Sequence, residues 1–383
     1  MSPRAYLSVR PLDFGYDLDQ PSGVEWMKGA LRRAAAEDDT IDADRAARYY
    51  DVVARRSSIE SRRSAIDDYL HDDWDRMRLH APGARGDGAP AAWHHATLDR
   101  RMELFAETAE AVARDAFAAD DAPPDVAMQV SCTGYDSPSA VQRALAERGW
   151  VDEVRVLSVG HMGCYAALPA VATAADVVAA QASRKPGGNA RAVLVDVEFC
   201  TLHHYPATTD PEQVVQQCLF ADGAVRIDVT AGPYGASFAL LDHAEALVPD
   251  TLGEMTWRPA SDGFRMTLSR AVPDHIRKNV AGVVERFLAR HGLAIADVDV
   301  WAIHPGGPRV IESTAQALGV DDAVKATHSH AVLRERGNMS STTLPHIWDR
   351  IARDESVPAG ALVCSVAFGP GLTVVTNLMR KEG

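Results

Sequence analysis

From residue 126 onward, short runs of β-branched and aliphatic residues alternate with glycine turns and with longer Ala, Val and Leu stretches at helical spacing. VAMQVSCTG predicts a buried strand, followed by a helix over 137–148 opened by Asp136 and Ser137 with Pro138 in its first turn. Residues 154–159 alternate as a strand does, and 165–180 are broken only by Pro169, so a strand feeds a helix through a glycine turn. RAVLVDV at 191–197 predicts a central strand, 213–220 a helix, and FADGAVRIDV a strand that starts after an Asp-Gly turn. The spacing predicts an amphipathic helix over 275–291, then a strand in VDVWAI and a helix over 310–318. Strands over 361–368 and 374–379, separated by the sharp turn GPGLT, close the chain.

Before residue 126 the pattern is mostly helical. Residues 23–37 and 43–54 carry apolar positions three and four apart, and 98–118 place Leu98, Met102, Phe105, Ala109 and Val112 on one side. Residues 81–92, rich in Gly, Pro and Ala, predict an exposed loop. The strand, glycine turn and helix after residue 126 are echoed after residue 298. This predicts an α/β chain of two similar halves, 1–240 and 241–383, whose equivalent strand ends converge on one site.

A chain of 383 residues, 46% hydrophobic and 24% charged, has the profile of an enzyme. Its net charge of −14 excludes a dominant nucleic-acid or anionic-membrane surface. No 18-residue apolar run and no signal-like N-terminus occur. The five cysteines show no CxxC spacing, which points to free thiols and a cytoplasmic location.

Three residues at glycine-flanked element ends carry the candidate chemistry. Cys164, in GHMGCYAA, lies where a strand meets a helix, and a helix N-terminus favours the thiolate, the reactive form of cysteine. A buried cysteine acting as a small hydrophobe is the bland alternative. His304 ends VDVWAI before Pro305-Gly306-Gly307, and Asn338 lies in RGNMSSTT. Together they suit acyl transfer with decarboxylation: the imidazole takes the thiol proton, and imidazole and amide hydrogen-bond the enolate that malonyl decarboxylation leaves.

With these motifs, FGPGLT at 368–373 and the weaker matches SCTGYDSP, CLFADGA and RSSIESR, the sequence resembles a type III polyketide synthase, the chalcone synthase-like branch of the thiolase superfamily. The resemblance runs from about Arg55 to the end of the chain. It implies the thiolase-like five-layered αβαβα fold, a homodimer, a Cys164–His304–Asn338 triad, and no cofactor or metal beyond acyl-CoA and malonyl-CoA as substrates. It also implies that Phe220 gates the passage between a pantetheine tunnel and the cavity. Met266 falls at the family's second, usually aromatic, gate, and Cys132, Ser137, Cys200 and His203 fall at cavity-lining positions. Arg56 matches a lysine that meets coenzyme A phosphates, while its two companion positions hold Tyr49 and Val52. That leaves an acyl carrier protein as an alternative donor. Arg309, three residues after Gly306, stands where a small residue meets pantetheine.

The implied activity is loading of an acyl starter on Cys164 and its extension by decarboxylative Claisen condensation to a polyketide. Two rivals remain: a single-round ketoacyl synthase-like enzyme using carrier-bound substrate, and a non-catalytic acyl-binding protein on the same fold. A papain-like hydrolase lacks the CGSCW surroundings, and no GxSxG, GxGxxG or GxxxxGK[ST] motif occurs. Structural roles are expected for His161, Glu198 and Ser340, and polar surface or cavity lining rather than metal ligation for His203-His204 and His328-x-His330, which lack a third ligand at sensible spacing. The cluster Arg55, Arg56, Arg62 and Arg63 is either a solvated helix face or a phosphate site.

Overall fold

The computed structural model describes residues 3–80, 96–185 and 187–383. The loop expected over 81–92 lies outside the described residues. In chain order the strands are β1 (Ala5–Pro11), β2 (Tyr16–Asp19), β3 (Ser61–Ser64), β4 (Val126–Ser131), β5 (Arg155–Gly160), β6 (Arg191–Phe199) and β7 (Asp222–Thr230). They continue with β8 (Phe238–Leu247), β9 (Met255–Ala260), β10 (Gly263–Leu268), β11 (Val300–Ile303), β12 (Leu362–Gly369) and β13 (Thr373–Lys381). Nine of them form one mixed sheet in the order β11-β12-β13-β8-β1-β7-β6-β4-β5, and β2-β3 and β9-β10 form two small sheets. Parallel pairing is confined to the two ends of the large sheet, β4 with β5 and β6, and β11 with β12. β8 spans residues 240 and 241 and pairs with β1 on one side and β13 on the other, so backbone hydrogen bonds run unbroken along the sheet.

The period-2 alternation of the strands decides the layers, because successive side chains point to opposite faces. On β6, Val193, Val195 and Val197 pack with helices Gln20–Glu37, Leu98–Ala118 and Ala140–Glu147 in one core. Ala192 and Leu194 face a second core built around helices Ala167–Ala182 and Thr343–Arg353. On β12, Val363 and Ala367 reach that same central core, whereas Cys364, Val366 and Phe368 face helices Val272–Ala289 and Pro308–Leu318. Helices therefore cover both outer faces and fill the middle, which is the five-layered αβαβα arrangement. Because both faces of the central strands are buried, β6 and β12 read as near-continuous apolar runs.

Two local expectations are corrected. The helix expected over 137–148 begins at Ala140 instead, because Ser139 caps it: Ser139 Oγ accepts from the Gln142 N–H and Gln142 Oε1 accepts from the Ser139 N–H. Pro138 lies outside the helix. Asp222-Gly223 is not a turn but the start of β7, paired with Phe199 and Glu198. The Asp222 carboxylate there accepts the backbone N–H groups of Ala65 and Thr201 and the Thr201 hydroxyl. A Cβ on Gly223 would lie 2.1 Å from Thr342 Oγ1, so glycine serves close approach. No described helix is long and apolar enough to cross a membrane.

Candidate active site

After β5 the chain turns through His161 (φ 59°) and Gly163 (φ 85°), and Cys164 follows just before the helix Ala167–Ala182. A Cβ on Gly163 would sit 2.4 Å from Pro370 Cδ, and one on Gly369 would sit 2.3 Å from Tyr165 Cδ1. The Cys164 turn and the Gly369-Pro370 turn after β12 therefore interlock, and only glycine leaves them room.

Asn338 is tied to the gate position by a short backbone bridge. Its N–H donates to the Leu219 carbonyl at 2.9 Å, and the Ala221 N–H donates to the Asn338 carbonyl at 2.9 Å, which places it beside Phe220. Asn338 Oδ1 accepts the Ser340 N–H at 3.0 Å, and Ser340, held at φ 51°, hydrogen-bonds the Cys164 thiol through its side chain. A non-glycine residue in the left-handed region at this point stores strain where a side chain has to be aimed. Cys164, Ser340, Asn338 and Phe220 thus form one connected chain of contacts.

His304 leaves β11 with its N–H donating to the Val366 carbonyl of β12 at 2.8 Å, three residues before the Gly369-Pro370 turn. Its ring is 2% exposed, and neither ring nitrogen has a hydrogen-bond partner among the described residues. A buried imidazole without a partner is costly and marks a group reserved for something else. Burial pushes its pKa down to about 3. Burial also pushes the Cys164 thiol up to about 12; the Ser340 hydrogen bond works against this and the Glu198 charge adds to it. The thiolate expected from the helix N-terminus is therefore not the resting form, because desolvation outweighs the dipole.

A cavity of about 40 Å³ lies over Cys164 and is lined by Cys132, Cys200, His203, Phe220 and Met266, as the sequence indicated. Ser137 is not among the lining residues. It is exposed on the loop ahead of the Ser139 cap, since the chain turns outward after Gly134 packs on Phe105. Cys132 Sγ accepts the Gly163 N–H at 2.9 Å and so braces the nucleophile turn. His203 Nδ1 accepts the Phe264 N–H while Nε2 faces the Thr133 carbonyl at 2.6 Å, and its ring stacks on Phe264 at 4.4 Å. These bonds fix a neutral tautomer, and burial holds its pKa near 3.

A second, open cavity of about 350 Å³ contains Arg56, Gly306 and Arg309, with Tyr49, Val52 and Leu219. The helix Pro211–Leu219 ends between the two cavities. Leu219 lines the outer one and Phe220 the inner one.

Sequence reasoning missed Trp257, Thr133 and the glutamines 213, 216 and 217 of the inner wall, whereas His204 lines it beside His203. The signal for Trp257 was the alternation of Met255 and Trp257 against Phe264 and Met266 across the Ser261-Asp262 turn, a hairpin pattern. Arg62 is neither a solvated residue nor a phosphate ligand: it is 3% exposed and donates to the carbonyls of Gln217 and Phe220. Glu198 holds the site from behind, accepting the Cys132 N–H and the hydroxyls of Thr133 and Ser341. His161 Nε2 bonds the Trp257 carbonyl, and His328 and His330 bond Asp354 and Asp322.

Residues 240–382 match the family described as chalcone and stilbene synthases, C-terminal domain. The alpha-pyrone synthesis polyketide synthase-like protein of Mycobacterium tuberculosis is 30% identical over 84% of this chain and 79% of its own length. The 1,3,6,8-tetrahydroxynaphthalene synthase of Streptomyces griseus is 29% identical over 68% of each chain. Among solved structures, PKS-I of the brown alga Ectocarpus siliculosus superposes with a TM-score of 0.80 at 24% identity, covering 98% of both chains. The interlocked cysteine turn, the pair of cavities that meet at Leu219 and Phe220 and these relatives lead to one conclusion: the chain belongs to the type III polyketide synthases, condensing acyltransferases of the chalcone and stilbene synthase family.

Proposed function

We propose that Cys164 is the nucleophile, His304 its proton acceptor, and His304 and Asn338 together the donors to the thioester oxygen during decarboxylation and condensation. The observation that carries this reading is the unpartnered, buried and neutral His304 imidazole at the end of β11, bonded to the strand β12 whose Gly369-Pro370 turn interlocks with the Cys164 turn, although neither His304 nor Asn338 is among the residues lining the cavity over Cys164. With the thiol near 12 and the imidazole near 3, both groups are neutral at rest. The thiol proton passes to His304 as Sγ attacks the starter thioester, and coenzyme A leaves as its thiol, taking that proton from the imidazolium. Malonyl thioester then loses carbon dioxide. The resulting enolate oxygen is stabilised by the neutral imidazole N–H and the Asn338 amide, and its carbon attacks the Cys164 acyl group, breaking the acyl–Sγ bond and releasing Cys164 as thiolate.

Acyl-CoA and malonyl-CoA are the substrates in this reading. They enter through the outer cavity, where the Arg56 and Arg309 guanidinium groups suit phosphates. The protein works as a homodimer without metal or cofactor, and its five free cysteines suit the reducing cytoplasm. Incubation with malonyl-CoA and a panel of starter thioesters tests the reading. Products carrying more than one two-carbon unit, absent with Cys164→Ala, support it. A single extension points to the ketoacyl synthase-like rival, possible also with carrier-bound donors, and no product from any donor points to an acyl-binding protein.

A further inference from the structure

His203 and His204 follow one another at the end of the turn Cys200–His203, and both line the cavity over Cys164, yet their rings are held in opposite ways. Both ring nitrogens of His203 are bonded to backbone, at the Phe264 N–H and the Thr133 carbonyl. His204 is 5% exposed, and neither of its ring nitrogens has a hydrogen-bond partner among the described residues. Its backbone is fixed instead. The His204 N–H donates to the Thr201 carbonyl at 3.2 Å, its carbonyl accepts from Arg101 Nη1 at 3.4 Å, and the ring meets Tyr69 edge-on with centroids 5.9 Å apart. A buried imidazole placed this firmly and left without a partner costs free energy that a bound group offsets.

A second unsatisfied atom lies on the same wall. Gln217 Nε2 donates to the Tyr205 carbonyl at 3.1 Å, one residue along from His204, while Gln217 Oε1 is buried without a partner among the described residues. Burial, then the charges of Arg62, His80 and Arg101, hold His204 well below its ordinary pKa of 6.5, so the ring is neutral and offers one bare nitrogen and one N–H. The wall therefore presents acceptors, which fit an O–H donor. A chain grown by two-carbon units carries alternating ketones, and its enol form supplies such a hydroxyl, which a starter acyl group does not.

We infer that His204 is a second catalytic base, which releases the extended chain by closing it into a lactone. The inference rests on the reading of Cys164 as nucleophile, with the extended chain returned to Cys164 by thioester exchange. The enol oxygen attacks the thioester carbonyl as its proton passes to the bare His204 nitrogen. The C–O bond forms, the C–Sγ bond breaks, and the imidazolium gives the proton to Sγ, so Cys164 ends as a thiol and His204 as a neutral imidazole. His304 stays reserved for loading and condensation.

Native protein, given a short pulse of malonyl-CoA with acetyl-, hexanoyl- or benzoyl-CoA and then desalted, is followed by intact-protein mass for its adducts and by chromatography with mass spectrometry for released product. Extended adducts should decay as lactone appears. His204→Phe keeps a ring in place, and His204→Gln keeps hydrogen bonding without accepting a proton. In both, lactone release should slow about 100-fold more than starter loading does, and extended adducts should persist. Variants that release lactone at the native rate, or that slow loading as much as release, overturn the inference. Native protein that never carries an extended adduct, or whose products are all linear acids or carbocycles, overturns it even if neither variant folds. If no starter adduct forms on native protein, the reading of Cys164 fails and the inference falls with it; starter adducts with unaltered release in the variants sink the inference alone.

Discussion

Replacing His304 by alanine, with glutamine as a second variant of similar bulk, isolates the proton acceptor from the rest of the site. An isolated thiol with a pKa near 12 is about one part in 10⁵ thiolate at pH 7, so on its own Cys164 would react slowly with an electrophile. His304, pushed down to about 3, stays neutral and able to accept a proton across the whole working range. General-base assistance of this kind contributes about 10²–10⁴-fold. The native thiol should therefore be alkylated by iodoacetamide at a rate nearly flat from pH 6 to 9. Both His304 variants should react about 100-fold or more slowly at pH 7, with rates that climb about tenfold per pH unit, because only free thiolate remains reactive. Timed intact-mass spectra give these rates, and circular dichroism checks that the variants are folded. Folded His304 variants with the native rate and a flat profile would refute the pairing of His304 with Cys164.

Gly163→Ala forces a left-handed φ of 85° on a residue with a Cβ that would lie 2.4 Å from Pro370 Cδ. It should cost about 2–4 kcal/mol in denaturant unfolding and slow acylation about 100-fold through displacement of Cys164; unchanged values for both would remove the interlocked-turn argument. Asp196 and Glu198 are both pushed above their ordinary values of 3.8 and 4.5, chiefly by burial. Their contribution to stability is therefore full below about pH 4 and is lost as pH rises through the raised values. The native melting temperature should fall between pH 5 and pH 8, and fall less in Asp196→Asn; parallel curves for the two proteins would contradict this.

Most of the fold could be read in the sequence because both faces of its central strands are buried, and apolar runs such as RAVLVDV announce such strands without ambiguity. The helix Leu98–Ala118 was legible to the residue for the opposite reason, its one-sided stripe. Where capping competed with a helical pattern, as at Ser139, the local hydrogen bonds decided and the pattern misled. Asp222-Gly223 misled for another reason: an Asp-Gly pair also serves where a buried carboxylate collects N–H groups and a neighbour presses on the backbone.

The site shows the same division. Cys164, His304 and Asn338 announced themselves as glycine-flanked element ends. The electrostatics did not, because the depth of burial that keeps Cys164 a thiol depends on residues such as Trp257 and Cys132, far away in the chain. Arg62 looked like surface charge because the carbonyls it satisfies belong to a helix end more than 150 residues later.

The most direct test of the central claim is to locate the acyl group. Native protein exposed to acetyl-CoA or malonyl-CoA is quenched in acid, digested and mapped by tandem mass spectrometry. The account predicts a thioester on the Cys164 peptide and on no other cysteine, and its loss in Cys164→Ala. An acyl group on Cys132 or Cys200, or an adduct that persists in Cys164→Ala, would contradict it.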